Sequence, residues 1–357
     1  MKHLLANLIQ GDSLSEAQAT EAFELIMTGQ ATAAQTGAML ALIQARGPTV
    51  DELVGAAKVM RAKAMKVHAP EGLTLIDTCG TGGDHAGTFN ISTAAALVAA
   101  GAGRPHDIAV AKHGNRSVTS NSGSSQVLEE LGVKLRVSGQ TMTRCLDEAG
   151  VCFCFAPAHH PAMKHAMPVR LELGFRTLFN MVGPLTNPAG ARRQVVGVFA
   201  SSLTETIARV LHRLGAEQAM VVHGQIPDPD GKHVDGLDEL STAGPTRISH
   251  ISGKLLRTFE LDPDDIGLPF SHPSAMRVDS AAASAALIRK VLEGAHGPAR
   301  DIVCLNAGAA LLVAGLAADL GEGVQRAADS IDNGSAAQAL ASLVKLTNED
   351  RTEAPTP

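Results

Sequence analysis

The stretch from Leu73 to Gly101, "LTLIDTCGTGGDHAGTFNISTAAALVAAG", limits the possible folds more than any other part of the chain. A short apolar run ends in a glycine-rich loop, and the loop leads straight into an alanine-rich helical pattern. The same texture returns with "IAVAKHG", "VCFCFAP", "QVVGVFA" and "QAMVVHG" as strand candidates, and with "SGSSQVLEELG" and "LTETIARVLHRLG" as helices between them. Short apolar runs alternating with helices predict an α/β fold with a mainly parallel central sheet flanked by helices. In such sheets, ligands bind where the chain leaves the carboxyl ends of the strands.

Before Leu73 the pattern is helical throughout. "SLSEAQATEAFELIMTGQ" opens with a capping box from Ser13 to Glu16 and carries Phe23, Ile26 and Met27 at helical spacing. "TAAQTGAMLALIQARG" and "VDELVGAAKVMRAKAM" repeat that pattern, separated by Gly or Pro. At 357 residues the chain exceeds what one core usually fills, so two domains are expected. The first is a small all-helical N-terminal domain over residues 1–70, completed by about 166–191. The second, an α/β domain that binds the ligand, takes residues 71–165 and 192–345, and residues 346–357 form a polar, flexible tail.

A net charge of -6 gives no sign of a nucleic-acid surface, and the absence of Trp and Tyr removes the aromatics that stack on bases. Five cysteines without CxxC spacing read as reduced thiols of a cytoplasmic protein, and Cys152 and Cys154 alternate as if on one buried strand face. No run approaches about 18 apolar residues, so no membrane span is expected.

The chemistry gathers in two loops. "GTGGD" after a strand presents backbone N–H groups, because glycine tolerates positive φ and close approach. The helix beginning near "NIST" adds its positive N-terminal end, a second anion-binding device. Taken alone, the loop also fits a tight strand-to-helix turn. The dinucleotide fingerprint GxGxxG fails at His85, and GxxxxGK[ST] does not occur. "KHGNRS" then places Lys112, Asn115 and Arg116 after a strongly apolar strand, where cations can pair with phosphate. Ser122, Gly123 and Ser124 begin the next helix.

"DGLDEL" carries adjacent carboxylates at Asp238 and Glu239, which suit Mg²⁺ beside a polyphosphate or, equally, the acidic first turn of a helix. His159, His160 and His165 match no zinc pattern. Arg170 is a candidate carboxylate clamp, since a guanidinium grips a carboxylate through two hydrogen bonds.

Together, "GTGGD", "TFNIST", "AKHGNRSVTSNSGS", "FAPAHHPAMKH", "PVRLELGFRTLFNMVGPLTNPA", "DGLDE" and "NAGAALLVAG" resemble the anthranilate phosphoribosyltransferase family over nearly the whole chain. The resemblance implies transfer of a phosphoribosyl group from phosphoribosyl pyrophosphate to the amine of anthranilate, with Mg²⁺, by a homodimer joined through its helical part. It implies that Gly80, Gly83, Asp84, Thr88, Asn90, Ile91, Ser92 and Thr93 hold the phosphoribosyl donor. Lys112, Gly114, Asn115, Arg116, Ser117, Ser120 and Ser124 complete that pocket. Anthranilate meets Gly80, Asn115, Pro157, His160 and Arg170, the metal meets Ser92, Asp238 and Glu239, and Lys112 and His113 are the candidate catalytic residues.

An aromatic amine is neutral and nucleophilic at pH 7, so the reaction needs positioning and stabilisation of the leaving pyrophosphate more than a base. Three departures from the family pattern stand out. "RPHD" at 104–107 lengthens a helix-to-strand loop away from the pocket. The Pro/Asp-rich stretch before "DGLDE" offers Asp228, Asp230 and Asp235 as competing ligands. Asn121 stands where many relatives carry a basic residue, which shifts donor affinity onto Lys112 and Arg116. The rival readings are a pyrimidine nucleoside phosphorylase of the same superfamily and a catalytically idle relative that binds nucleic acid.

Overall fold

The computed structural model describes residues 1–116, 122–227 and 234–351. The chain opens with helices α1 (Lys2–Ile9), α2 (Glu16–Met27), α3 (Ala33–Arg46) and α4 (Val50–Lys63). Each of the last three starts at a hydroxyl N-cap with a capping box, pairing Ser15 with Gln18, Thr32 with Gln35 and Thr49 with Glu52. A cap of this kind is worth about 1 kcal/mol, because it satisfies N–H groups that the helix leaves orphaned. The box expected at Ser13 and Glu16 is thus displaced by two residues. Glu16 is already helical, and Ser13 instead accepts a hydrogen bond from Arg46 Nη1 at 2.9 Å. The Ser15 cap wins because it turns Ala19, Ala22, Phe23 and Ile26 into the core.

The strands are β1 (Thr74–Gly80), β2 (Ile108–Gly114), β3 (Val151–Phe155), β4 (Arg193–Gly197), β5 (Gln218–Pro227), β6 (Val234–Leu237), β7 (Thr246–Ser252) and β8 (Leu255–Leu261). Among the described residues they form one sheet in the order β3-β2-β1-β4-β5-β7-β8, with β6 paired to β5. The first five strands in this order are parallel, and β6, β7 and β8 are antiparallel additions. Ile76 of β1 lies between Val110 of β2 and Arg193 of β4. Strand order therefore reverses at β1, and the crevice between the carboxyl ends of β1 and β4 is the expected ligand site.

The remaining helices are α5 (Ile91–Gly103), α6 (Ser124–Glu130), α7 (Gly139–Arg144), α8 (Ala156–His159), α9 (Met167–Leu173), α10 (Phe179–Val182), α11 (Leu203–Arg213), α12 (Ala281–Leu292), α13 (Pro298–Ala314), α14 (Leu320–Asp332) and α15 (Ser335–Glu349). Side chains alternate across the sheet, as strand geometry requires. Val195, Met220 and Val222 join the core built with α5 and α13, whereas Val196, Ala219 and Val221 join a second core. That second core runs through α11 into α2, α3 and α4 and also takes in Val169, Phe179 and Leu185. The helical bundle is thus seated on one face of the sheet rather than standing apart.

The chain tail begins later than residue 346. Helix α15 continues to Glu349, Leu346 and Thr347 are buried, and Asp350 accepts from Ser138 N at 2.6 Å. Apolar spacing in "ALASLVKL" carries the helix through the polar residues that follow. The "RPHD" segment forms a short turn, Arg104–His106, at the amino end of β2, the opposite end from the ligand crevice. Cys152 and Cys154 lie side by side on β3 with their sulfurs 3.9 Å apart, both buried.

Candidate functional site

Three glycines make room for the acidic loop that follows β6. A Cβ on Gly80 would overlap the Asp238 carboxylate, one on Gly197 would overlap the Asp238 carbonyl oxygen, and one on Gly224 would lie 2.7 Å from the Glu239 carbonyl oxygen. Seated there, Asp238 Oδ2 accepts from Gly82 N at 2.7 Å, and its own N–H donates to Asp84 Oδ2 at 3.3 Å. Asp84 Oδ1 accepts from Ala86 N at 3.2 Å, closing the turn. Glu239 Oε1 accepts from Ser92 N at 3.0 Å, in the first turn of α5, where the helix dipole favours negative charge. The acidic pair therefore lies in a loop, not in the first turn of a helix.

Burial pushes the Asp238 carboxyl well above its usual range, and the charges of Asp84 and Glu239 add to the rise. Burial likewise raises Glu239 to about 7, against the pull of Lys112 and the Ser92 hydrogen bonds. Crowded carboxylates beside a serine hydroxyl are hard oxygen donors that a divalent cation would ionise and hold. Among the described residues no three His, Cys, Asp or Glu side chains converge to cage a metal. A pair of carboxylates suits Mg²⁺, which takes one or two carboxylates along with water and phosphate oxygens.

Lys112, on β2, is buried, and its Nζ donates to Thr78 O at 2.5 Å and to Ser92 Oγ at 3.3 Å. Burial lowers its pKa, while Asp77, Cys79, Glu239 and Asp238 hold it up. A buried ammonium bonded to two neutral oxygens, next to a helix N-terminus, is a strong site for phosphate. The fully buried Asp77 fixes this strand end. Its carboxylate accepts from His113 N at 3.0 Å, Asn187 Nδ2 at 2.8 Å and Gln194 Nε2 at 3.4 Å, and Asn187 also donates to Ala111 O at 2.7 Å.

His113 and His160 meet with their Nε2 atoms 3.3 Å apart and ring centroids 5.2 Å apart. Burial, with a smaller push from the neighbouring histidines, lowers His113 to about 3 and His160 to about 4. Both rings are neutral near pH 7, one donating to the other. Pro157 lies in α8 at the end of β3, and His160 directly follows that helix. Arg170, on α9, places its guanidinium carbon 5.2 Å from the Phe179 ring centroid, and burial lowers its pKa.

Asn115 is exposed, with its Oδ1 turned back to Arg116 N at 2.7 Å and its carbonyl accepting from Ser124 Oγ at 3.2 Å. Arg116 is exposed and pairs with Glu129 of α6 at 3.1 Å. Gly114 is required where it stands, because a Cβ would overlap Ser124 Oγ. Thr88 makes an isolated bridge to Arg277. The Asn90 side chain is engaged by Ser122 and by Ser284 Oγ at 2.9 Å, while Ile91 and Thr93 are buried. Ser117, Ser120, Asn121, Asp228 and Asp230 lie outside the described residues, as does the side chain of Asp235.

Four functional positions escaped the sequence reading. Arg176 grips the glycine loop through Gly83 O, meets His85 Nε2 at 3.1 Å and stacks over Phe199 at 4.4 Å. It steadies a loop in which His85 itself adopts a φ of 61°. Asp77, Gly197 and Asn306 are the others. The only local signal among the four was a carboxylate ending the apolar run "LTLI".

The family model "Glycosyl transferase family, a/b domain" matches residues 72–337, and "Glycosyl transferase family, helical bundle domain" matches residues 2–64. An anthranilate phosphoribosyltransferase of Paramagnetospirillum magneticum is 50% identical over 348 residues, 98% of this chain and 96% of that protein. The crystal structure of the Thermus thermophilus enzyme of that name matches with a TM-score of 0.88 at 38% identity, covering 97% of this chain and 99% of that one. Anthranilate phosphoribosyltransferase from Saccharomyces cerevisiae, in complex with PRPP and Mg, matches with a TM-score of 0.84 at 25% identity over 97% of each chain. Likeness of this extent runs through the bundle, the sheet and the crevice alike, and the chain belongs to the anthranilate phosphoribosyltransferase family.

Proposed function

We propose that this chain transfers the phosphoribosyl group of phosphoribosyl pyrophosphate to the amine of anthranilate, giving N-(5-phosphoribosyl)anthranilate and pyrophosphate in L-tryptophan biosynthesis. One observation carries the reading: the buried Lys112 ammonium and Glu239 of the Asp238–Glu239 pair meet at Ser92, in the first turn of α5 at the β1/β4 crevice. That arrangement suits a polyphosphate and a divalent cation, and the family supplies the acceptor.

Asp238, Glu239 and the Ser92 hydroxyl would hold Mg²⁺, which when bound neutralises charge on the pyrophosphate. Lys112 stabilises the negative charge that grows as the bond from ribose C1 to pyrophosphate breaks. A well-aimed donor of this kind contributes about 3 to 4 kcal/mol. The "GTGGD" backbone, steadied by Arg176, places the donor against β1. Arg170 pairs with the acceptor carboxylate and so aims the amine at C1, while neutral His113 and His160 line its approach. No base is needed before attack, since the aniline nitrogen carries its lone pair at neutral pH. Its proton leaves after the new C–N bond has formed.

The division into a bundle of residues 1–70 with about 166–191, and a donor-binding part of residues 71–165 and 192–345 continued to the end of α15, belongs to this proposal. So do a homodimer and a cytoplasmic location. Exposed Ile9, Met167, Leu171 and Phe175, on and beside α1 and α9, support pairing through the helical part. Among the described residues no helix is long and apolar enough to cross a membrane.

The test is pyrophosphate release with phosphoribosyl pyrophosphate, Mg²⁺ and either anthranilate or benzoate. Release only with anthranilate is expected. Equal release with benzoate, which lacks the amine, would mean hydrolysis rather than transfer.

A further inference from the structure

Asn306 sits on α13 with its side chain buried, far in sequence from the acidic loop. Its Oδ1 accepts from Leu240 N at 3.0 Å, and its Nδ2 donates to Leu240 O at 3.0 Å and to Ile302 O at 2.9 Å. One amide thus grips both backbone polar groups of the residue that follows Glu239. Leu240 is itself fully buried, so no water replaces either bond without rearrangement.

The acidic loop has other anchors: Asp238 is hydrogen-bonded to Gly82 N and to Asp84 Oδ2, the Ser241 N–H donates to Thr246 Oγ1, and two more contacts lie nearest the carboxylates. The Asp238 carbonyl oxygen fills the space left by Gly197, and Glu239 Oε1 takes the Ser92 N–H. The first limits approach to the sheet, and the second depends on the carboxylate that a cation would claim. The Asn306 clamp uses neither a carboxylate nor a group that a ligand would take. Its bonds to Leu240 would not be broken by a cation that Glu239 ligated. Helix α13 shares a core with α5, the helix that carries Ser92, so the clamp ties the two halves of the site to one frame.

We propose that Asn306 is a positioning residue for the cation site: it fixes the backbone at Leu240 and thereby aims Asp238 and Glu239 at the metal and the donor's pyrophosphate. The inference rests on the reading of Asp238 and Glu239 as the metal carboxylates. Loss of the clamp frees the loop to move, which weakens metal-dependent donor binding and leaves the acceptor side, held by α9, alone.

The test compares Asn306→Ala with Leu305→Ala, a core truncation on the same helix that leaves the clamp in place. Half-saturating Mg²⁺, the KM for each substrate, and calorimetric binding of phosphoribosyl pyrophosphate with Mg²⁺ are measured alongside thermal unfolding. Asn306→Ala is expected to raise half-saturating Mg²⁺ and donor KM about tenfold, the scale of an outer-shell partner's loss, and to weaken donor binding equally. The KM for anthranilate stays within about twofold, and Leu305→Ala lowers the unfolding temperature without moving the Mg²⁺ response. Should Asn306→Ala fail to fold, Asn306→Ser must shift the Mg²⁺ response in the same direction. A shift reproduced by Leu305→Ala, or equal losses for both substrates, overturns the proposal. If Asp238→Ala also leaves half-saturating Mg²⁺ unchanged, the metal reading fails with it. If Asp238→Ala moves it and the Asn306 variants do not, only the clamp fails.

Discussion

The Ser92 N–H donates to Glu239 Oε1 across 3.0 Å, joining the first turn of α5 to the loop after β6. The proposed cation site and the proposed phosphate site would thereby share these two groups. Glu239→Gln keeps an oxygen for Ser92 but removes the charge. Donor turnover should fall about 100-fold, with half-saturating Mg²⁺ raised and the fold intact. Steady-state rates over a Mg²⁺ series check this, and an unmoved half-saturation point would remove Glu239 from the metal.

Lys112→Ala removes the buried ammonium that Thr78 and Ser92 orient. The expected loss is about 100- to 1,000-fold in kcat, with a smaller change in anthranilate KM. Single-turnover measurement of pyrophosphate release separates this from weaker binding. A normal rate once donor is bound would assign Lys112 to binding only.

Arg170→Ala should act on the other substrate. Removing a charge-assisted pair with a carboxylate costs about 1.5 to 3 kcal/mol, or roughly 10- to 150-fold in anthranilate KM. The KM of the donor should stay within about twofold. Equal rises for both substrates would count against Arg170 as the carboxylate clamp.

Gly197→Ala places a Cβ on the Asp238 carbonyl oxygen, so either β4 or the acidic loop must shift. A loss of about 1 to 3 kcal/mol in stability is expected, together with weakened Mg²⁺ use. Gly183→Ala is the control, since nothing lies within 4 Å of a Cβ there. Urea unfolding of the two variants decides the point. Matched stabilities would mean that the loop yields freely.

The neutral histidine pair predicts a pH signature. His113 is lowered from 6.5 to about 3, so below pH 6.5 the unfolded chain binds a proton that the native chain refuses. The stability linked to it is complete above pH 6.5 and falls as the pH drops toward 3, by about 1.4 kcal/mol per pH unit. Glu239, raised from 4.5 to about 7, acts in the opposite sense, losing stability as the pH rises through that window. The readout is therefore the difference between wild type and His113→Gln. That difference should shrink as the pH falls below 6.5, and a pH-independent difference would show that His113 takes up its proton alike in the native and unfolded chains, so that burial does not hold it neutral.

Much of this was legible in local sequence. "IAVAKHG" marks β2 from end to end with Lys112 near its carboxyl end, the glycine loop after β1 leads into α5 and Ser92, and the Asp238–Glu239 pair follows β6. Strands β6, β7 and β8 went unread, because the short "VDGL", the polar alternation of "TRISHIS" and the mostly exposed edge strand "LLRTFEL" offer no apolar run. The capping box slipped by two residues because Ser13 and Ser15 both satisfy the local pattern, and only packing of α2 chooses between them. Asn187 and Asn306 stand in quoted stretches and Asp77 ends an apolar run, yet neither they nor Gly197 reveal their partners locally. Asn187 acts on Asp77 and Asn306 on Leu240, pairs that only the tertiary fold brings together. Arg176 stood in a recognised stretch, yet its target, the carbonyl of Gly83, has no sequence signature.

The measurement closest to the central claim is the fluorescence of anthranilate followed with wild-type protein, phosphoribosyl pyrophosphate and Mg²⁺. Loss of anthranilate matched one to one by pyrophosphate, and abolished by chelation of the metal, is the expected result. Persistent anthranilate at high protein concentration, with phosphorolysis of uridine or thymidine in its place, would contradict it.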